Sequence, residues 1–171
     1  MISTDLHHFL RSRRSVRRFT NQAVDGDSLA RILQTAGCAP SAHNRQPWRF
    51  AVLTTLSLKS RLAEAMAADF ARDLTADGLP QPEVEARVAR SRERILSAPV
   101  IIILCMDLTE MDAYPDPTRQ AHERTMAIQS VAAAGLQLML AAHAEGLGSV
   151  WVCGPLFAPE AVRQSLALPD A

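Results

Sequence analysis

Residues 118–145 read TRQAHERTMAIQSVAAAGLQLMLAAHAE, a run without proline in which Gly135 is the one internal glycine. On a helix of about 3.6 residues per turn, Thr118, His122, Thr125 and Gln129 share a stripe in the first half. Leu136 and Leu140 continue that line in the second half. The first half therefore carries one wet face, whereas the second is apolar nearly all round, the pattern of a buried helix. Ala132, Ala133, Ala134, Gly135, Ala141 and Ala142 are small enough to let another backbone come close. Glycine costs about 1 kcal/mol against alanine inside a helix, and close packing at Gly135 would offset that. Gln129, Gln137 and His143 interrupt the apolar run, which argues against a transmembrane span. The stretch reads as a central core helix, or a core helix at an interface.

Working outward, 171 residues suit one domain with a sizeable core. Hydrophobic residues at 48% and charged residues at 21% place the chain among globular proteins. Eighteen basic residues balance eighteen acidic ones, so no global field favours nucleic acid or an anionic membrane. Five arginines lie between Arg11 and Arg18, so any anion site is local. Cys38, Cys105 and Cys153 are odd in number and sit among apolar or small residues, which predicts buried, reduced thiols and a cytoplasmic protein. None stands at zinc-ligand spacing, and no metal site is expected. The N-terminus lacks the apolar core of a signal peptide.

Upstream, Thr4 to Arg11 reads as a short helix, and Arg13–Phe19 as an extended or loop segment. Asp25 offers an N-cap for a helix carrying Leu29, Ile32, Leu33 and Ala36, with Gly37 placed to end it. Ala39-Pro40-Ser41-Ala42-His43-Asn44-Arg45-Gln46-Pro47 reads as a loop, and Trp48–Thr54 as a strand. Ser57–Leu74 and Glu83–Leu96 favour helix, with a break at Asp77-Gly78-Leu79-Pro80. Glu83 and Arg87 stand at i,i+4, and the charges of that second helix read as a solvated face. Pro99–Met106 is a continuous apolar run, suited to a strand covered on both faces. Ser149–Cys153 reads as a further short strand, and Pro159 as the first turn of a last helix. The sum is one α+β domain, residues 1–171, with helices around a small central mixed sheet.

The Gly146-x-Gly148 pair ends a helix and opens a strand, the reverse of a dinucleotide loop, so a helix C-cap is the expected role. Phosphate-loop, zinc-helix and nucleophile-elbow motifs are absent from the sequence. His43 falls in a loop rich in potential site residues, although a surface histidine reads as well. The arginine cluster is more informative. Arginine grips phosphate through paired charge-assisted hydrogen bonds, and a serine can add another. In an extended segment, Arg13, Ser15 and Arg17 point to one side. That leaves a phosphate site and a solvated basic edge as alternatives. A nucleic-acid surface over Arg11–Arg18 is a weaker reading, because aromatic residues are only 5% and none interleaves with the arginines.

At these residues the chain resembles a known family. Arg13-Arg14-Ser15-Val16-Arg17-Arg18-Phe19 resembles the N-terminal signature of the FMN-dependent nitroreductase family. Ala39 to Phe50 resembles its second signature, a small-residue loop entering a strand as NxQPWxF. Pro99–Cys105 and Gly146–Gly154 resemble two later segments. The run Gln129-Ser130-Val131-Ala132-Ala133-Ala134-Gly135-Leu136-Gln137 is also similar in style to the nitroreductase-like C-terminal domain of deazaflavin-coenzyme glutamyl ligases.

The resemblance implies a homodimer holding FMN in two interfacial clefts, with no nucleic acid or membrane as partner. Arg13 and Ser15 would bind the FMN phosphate with Arg14 beside them, and Arg17 would reach the polar edge of the flavin ring. Pro40, Ser41 and Ala42, with Asn44 nearby, would come from the other subunit. Val152, Cys153 and Gly154 would present backbone to the ring, although Cys153 stands where the family commonly has glycine. NADH or NADPH would supply electrons for a small organic acceptor, with the flavin carrying the chemistry and no catalytic side chain required. The family continues past the Leu168-Pro169 position with a strand and a basic segment, so a domain lacking that extension is expected here. That departure motivates an alternative: a non-enzymatic flavin or deazaflavin binder on the same fold.

Overall fold

A computed structural model describes residues 3–169 of the chain. The elements run α1 (Ser3–Ser12), α2 (Gly26–Gly37), β1 (Trp48–Leu53), α3 (Leu56–Ala76), α4 (Gln81–Ser97), β2 (Ile101–Met106), α5 (Pro117–Ala144) and α6 (Pro159–Leu166). Short 3-10 turns cover Ala42–Asn44 and Gly154–Phe157. Local chemistry accounts for most boundaries. The Asp25 carboxylate accepts from the Ser28 N–H at 2.9 Å and caps α2, and hydrogen bonds from Ser28 hold its pKa below the ordinary carboxylate value. Asp116 does the same for α5 through the Arg119 N–H at 2.9 Å. At the far end of α5, Gly146 takes φ +74°. Its N–H donates to His143 O at 3.1 Å, and the Leu147 N–H reaches back to Ala142 O at 2.8 Å. Those two bonds form a Schellman cap, the role expected for Gly146.

Among the described residues the sheet is one antiparallel pair, β1 with β2, in the register Trp48↔Met106 through Leu53↔Ile101. Alternation sends Leu53, Ala51, Ile101, Ile103 and Cys105 to one face, where they pack with Leu62 of α3 and Val162 of α6. Trp48, Phe50 and Leu104 take the other face, against Ala134 and Val131 of α5. The apolar run at Ile101–Met106 is thus covered from both sides, as its composition predicts. Lys59, the chain's one lysine, is buried, and its ammonium donates to Ala98 O at 2.7 Å, tying α3 to the end of α4. Arg87 and Glu83 form the expected i,i+4 pair at 2.6 Å on the outer face of α4.

α5 runs across the sheet with Glu123, Ala127, Ser130, Ala134 and Ala141 buried. Its small residues also receive α2, where Ile32 meets Ala141 and Ala142. Polar contacts clamp the same pair of helices. Gln137 donates to Thr35 O at 2.6 Å, and Arg31 pairs with Glu145 at 2.7 Å. Thr118, His122, Thr125 and Gln129 are exposed, matching the predicted wet stripe.

Three expectations are corrected. Ser149–Cys153 forms no strand: only Ser15 and Ser149 make an isolated parallel bridge, so the sheet is antiparallel rather than mixed. Cys38 and Cys153 are exposed and only Cys105 is partly buried, although all three thiols are free. Cys38 follows the last turn of α2, and Cys153 lies in a loop, so neighbouring apolar letters did not translate into burial. The apolar second half of α5 is also less enclosed than its composition implies. By length and hydropathy α5 is the one helix among the described residues that could cross a membrane, yet only 33% of its most apolar window is buried within this chain. Ile128 at 52% and Leu136 at 51% exposure line an open stripe with Ala132.

Candidate functional site

The arginine segment leaves α1 and lies against the end of α5. Ser12 anchors it: its hydroxyl donates to Phe9 O at 2.8 Å and lies 2.9 Å from His143 Nε2, while the His143 ring stacks on Phe9. Val16 is held by its N–H to Ser149 O at 3.0 Å. Gly148 permits that approach, since a Cβ there would stand 2.9 Å from the Val16 Cβ. With Val16 turned inward, Ser15 and Arg17 are exposed. Arg14 folds back, its guanidinium donating to the carbonyls of Arg11 and Arg13. Arg13 differs from all of these: its Nη1 is buried and has no hydrogen-bond acceptor. A buried cationic donor without an acceptor is costly, and an anion is the group that satisfies it. The residues here fit a phosphate.

The second segment is the loop before β1. Ala42 donates its N–H to Ser130 Oγ at 3.1 Å, and Ser130 donates in turn to Met126 O at 2.7 Å. Ser41 Oγ accepts from the Gln46 N–H at 3.1 Å. His43, Asn44 and Gln46 all adopt positive φ, at 49°, 54° and 50°. Left-handed backbone costs roughly 1–2 kcal/mol per non-glycine residue, and such strain concentrates at binding sites. Pro40, His43 and Asn44 are exposed, Ser41 and Ala42 half-buried.

The third segment is Val152–Gly154. Val152 and Cys153 are exposed, and Cys153 sits at φ −88°, ψ 0° before a 3-10 turn. Among the described residues, the N–H groups of Val152, Cys153 and Gly154 find no acceptor, so three consecutive donors remain available. The first segment is bridged by Ser15 to Ser149, in the stretch that leads into the third segment. The second is fastened to Ser130, about 20 Å from His143 along the rise of α5. Within one chain, then, the loop stands apart from the arginine segment at the end of α5, whereas Trp151, the residue before the third segment, packs on Gly135 between the two. Concave regions of about 700 Å³ along α4 and about 450 Å³ between α3 and α6 are lined by none of the predicted site residues. Among the described residues, no cluster of His, Cys, Asp and Glu is placed to hold a metal ion.

Sequence reasoning missed two residues. Ser130 carries the loop, and its hydroxyl between Ala127 and Ala134 on one helix stripe was the available signal. Glu123 is 1% exposed, with one oxygen accepting from the Asp112 N–H at 3.2 Å and Oε2 without a partner. Its spacing to Ala127, Ser130 and Ala134 puts it at the head of the buried stripe, a pattern hidden by the polar residues around it.

Comparison with known proteins gives a consistent result. The profile of the nitroreductase family matches residues 10–171. A 5,6-dimethylbenzimidazole synthase from Rhodospirillum rubrum is 32% identical over 165 residues, covering 92% of this chain and 72% of that protein. An NADH dehydrogenase from Thermus thermophilus is 32% identical over 182 aligned positions, covering 92% of this chain and 77% of its own. Among solved structures, a protein described as a nitroreductase from Desulfovibrio desulfuricans, crystallised with FMN, superposes with a TM-score of 0.70 at 27% identity. The match covers 96% of this chain and 77% of that one.

Proposed function

The chain belongs to the nitroreductase family, and from that premise we propose that it is an FMN-dependent oxidoreductase. Bound FMN would supply the redox chemistry, taking a hydride from NADH or NADPH and passing electrons to a nitroaromatic, quinone or related acceptor. The observation that carries this reading is the buried, acceptor-less Nη1 of Arg13, which calls for an anion such as the FMN phosphate. Ser15, exposed two residues along, would add a hydroxyl donor, and the exposed Arg17 would supply positive charge. The free N–H groups of Val152, Cys153 and Gly154 are available to an acceptor on the flavin edge. Arg14 contributes by holding the end of α1, with its charge nearby.

The working unit in this proposal is a homodimer. The open stripe of Ile128, Ala132 and Leu136 on α5 supplies an apolar seam. The distance between Ser130 and the end of α5 favours a Pro40–Asn44 loop that covers the cofactor of a second copy rather than its own. Strained backbone at His43, Asn44 and Gln46 fits a loop shaped for that contact.

An absorption spectrum of the purified protein, before and after adding FMN and then NADH or NADPH, tests the reading. A bound flavin bleached by either nucleotide supports it, and a protein that takes up no FMN refutes it. Flavin that binds but stays oxidised, with no nucleotide consumed in the presence of quinone, would favour the non-enzymatic binder. The similarity to a 5,6-dimethylbenzimidazole synthase supports a second enzymatic reading, tested by looking for that product chromatographically after incubation of the flavin-loaded protein with NADH or NADPH.

A further inference from the structure

We propose that Gly135 is a positioning residue, whose missing side chain seats the Trp151 ring on α5 and thereby fixes the Val152–Gly154 backbone. This rests on the FMN reading of that segment. Residues 149–154 belong to no strand. Their anchor in hydrogen bonding is the Val16 N–H to Ser149 O, and the next backbone bond, from the Leu156 N–H to Cys153 O, is internal to the turn. Packing must therefore place what lies between. Trp151 supplies it. A Cβ built on Gly135 would lie 2.5 Å from Trp151 Cζ3, 2.8 Å from its Cη2 and 2.8 Å from Leu104 Cδ2. The ring thus lies directly on the helix backbone, beside the β2 side chain that closes the seat.

Carbon atoms settle at about 3.5–4.0 Å, so a methyl group at Gly135 would push the ring out by roughly 1 Å or more. The α5 backbone is held by its own ladder of hydrogen bonds and by Ala134 in the core, so it yields little. Trp151 is 45% exposed and has solvent to move into. The displacement falls on the residue directly before Val152, and carries the three free N–H donors with it. A misplacement near 1 Å costs on the order of 100-fold in rate where geometry governs the reaction.

The test uses Gly135→Ala, Gly135→Ala with Trp151→Phe, and Trp151→Ala. Phenylalanine lacks the two distal ring atoms that meet the new methyl group, so it should relieve the clash. In the protein stripped of flavin, Gly135→Ala should red-shift tryptophan emission and raise acrylamide quenching, because Trp151 is the half-exposed ring that moves outward, while Trp48 stays buried in the core against Ala134. With FMN bound, its rate of bleaching by NADH or NADPH should fall about 100-fold, while FMN affinity stays within about threefold. The double variant should recover to within about tenfold of wild type. Wild-type emission and rate in Gly135→Ala, or a double variant no better than the single, would overturn the proposal. Should Gly135→Ala fail to fold, Trp151→Ala keeps the glycine and removes the ring; it should show the same rate loss, and a wild-type rate overturns the inference. A wild-type protein that takes up no FMN sinks the functional reading instead, while the emission of Gly135→Ala still decides whether the seat exists.

Discussion

Replacing Arg13 with methionine keeps most of the stem volume and removes the cation, which separates the two roles this residue could have. In the structure its guanidinium makes no hydrogen bond to protein, and its Nη1 is buried. Removing it therefore forfeits no bond in the flavin-free protein and relieves a desolvated donor, whose burial costs about 1–3 kcal/mol. The flavin-free Arg13→Met protein should be as stable as wild type or more so. The cofactor-bound state should respond in the opposite sense. A charge-assisted hydrogen bond to phosphate contributes roughly 1.5–3 kcal/mol, so FMN should bind roughly 10- to 150-fold more weakly. Both quantities come from one thermal-shift series with and without FMN, supported by titration of flavin fluorescence. At FMN near 100 times the wild-type Kd, wild type gains about 2.7 kcal/mol. A variant weakened 100-fold gains about 0.4 kcal/mol under the same conditions. The reasoning fails if FMN affinity is unchanged within twofold, or if the flavin-free variant loses more than about 2 kcal/mol, since the guanidinium would then be satisfied by protein.

The two helix-ending glycines should respond oppositely to alanine. Gly146→Ala forces a side chain into φ +74° and should destabilise by about 1–2 kcal/mol, whereas Gly37, with open space and no positive φ, should tolerate alanine or gain up to about 1 kcal/mol in urea unfolding. Leu136→Glu puts a charge in the open α5 stripe; if the proposed dimer forms there, light scattering should report a monomer for the variant and a dimer for wild type, and FMN uptake should fall with it. A wild-type protein that is monomeric at micromolar concentration would contradict the seam. Glu145 has its carboxyl held below the ordinary value of 4.5 by hydrogen bonds from Arg31 and Ser28. Its contribution is therefore present above that value and lost as pH falls through the depressed one. Melting temperature should drop on acidification below about 4.5, and Glu145→Gln should remove that share of the slope while lowering stability at neutral pH.

Sequence alone determined the helices and their ends, because those features are local. The aspartate cap at Asp25 and the capping glycine at Gly146 each act within a few residues of themselves. The α+β class and the two-sided burial of β2 were legible for a similar reason: an uninterrupted apolar run has no wet face to offer. The arginine segment was legible in part: alternation leaves Ser15 and Arg17 exposed with Val16 against Gly148, whereas Arg13, expected to share their side, is half-buried. Tertiary structure decided the rest. Whether Ser149–Cys153 became a strand depended on partners distant in the chain. Val16 occupied Ser149, and Trp151 turned onto Gly135 instead of joining a sheet edge. Burial of Arg13 Nη1 is a property of surfaces that meet only on folding, and no local pattern encodes it; Glu123 sits on the stripe of Ala127, Ser130 and Ala134, but only the fold shows that this stripe is the buried one. The long helix at 118–145 joins the two kinds of information. Its composition announced more apolar surface than one chain encloses, and the fold identified which part stayed open, at Ile128, Ala132 and Leu136.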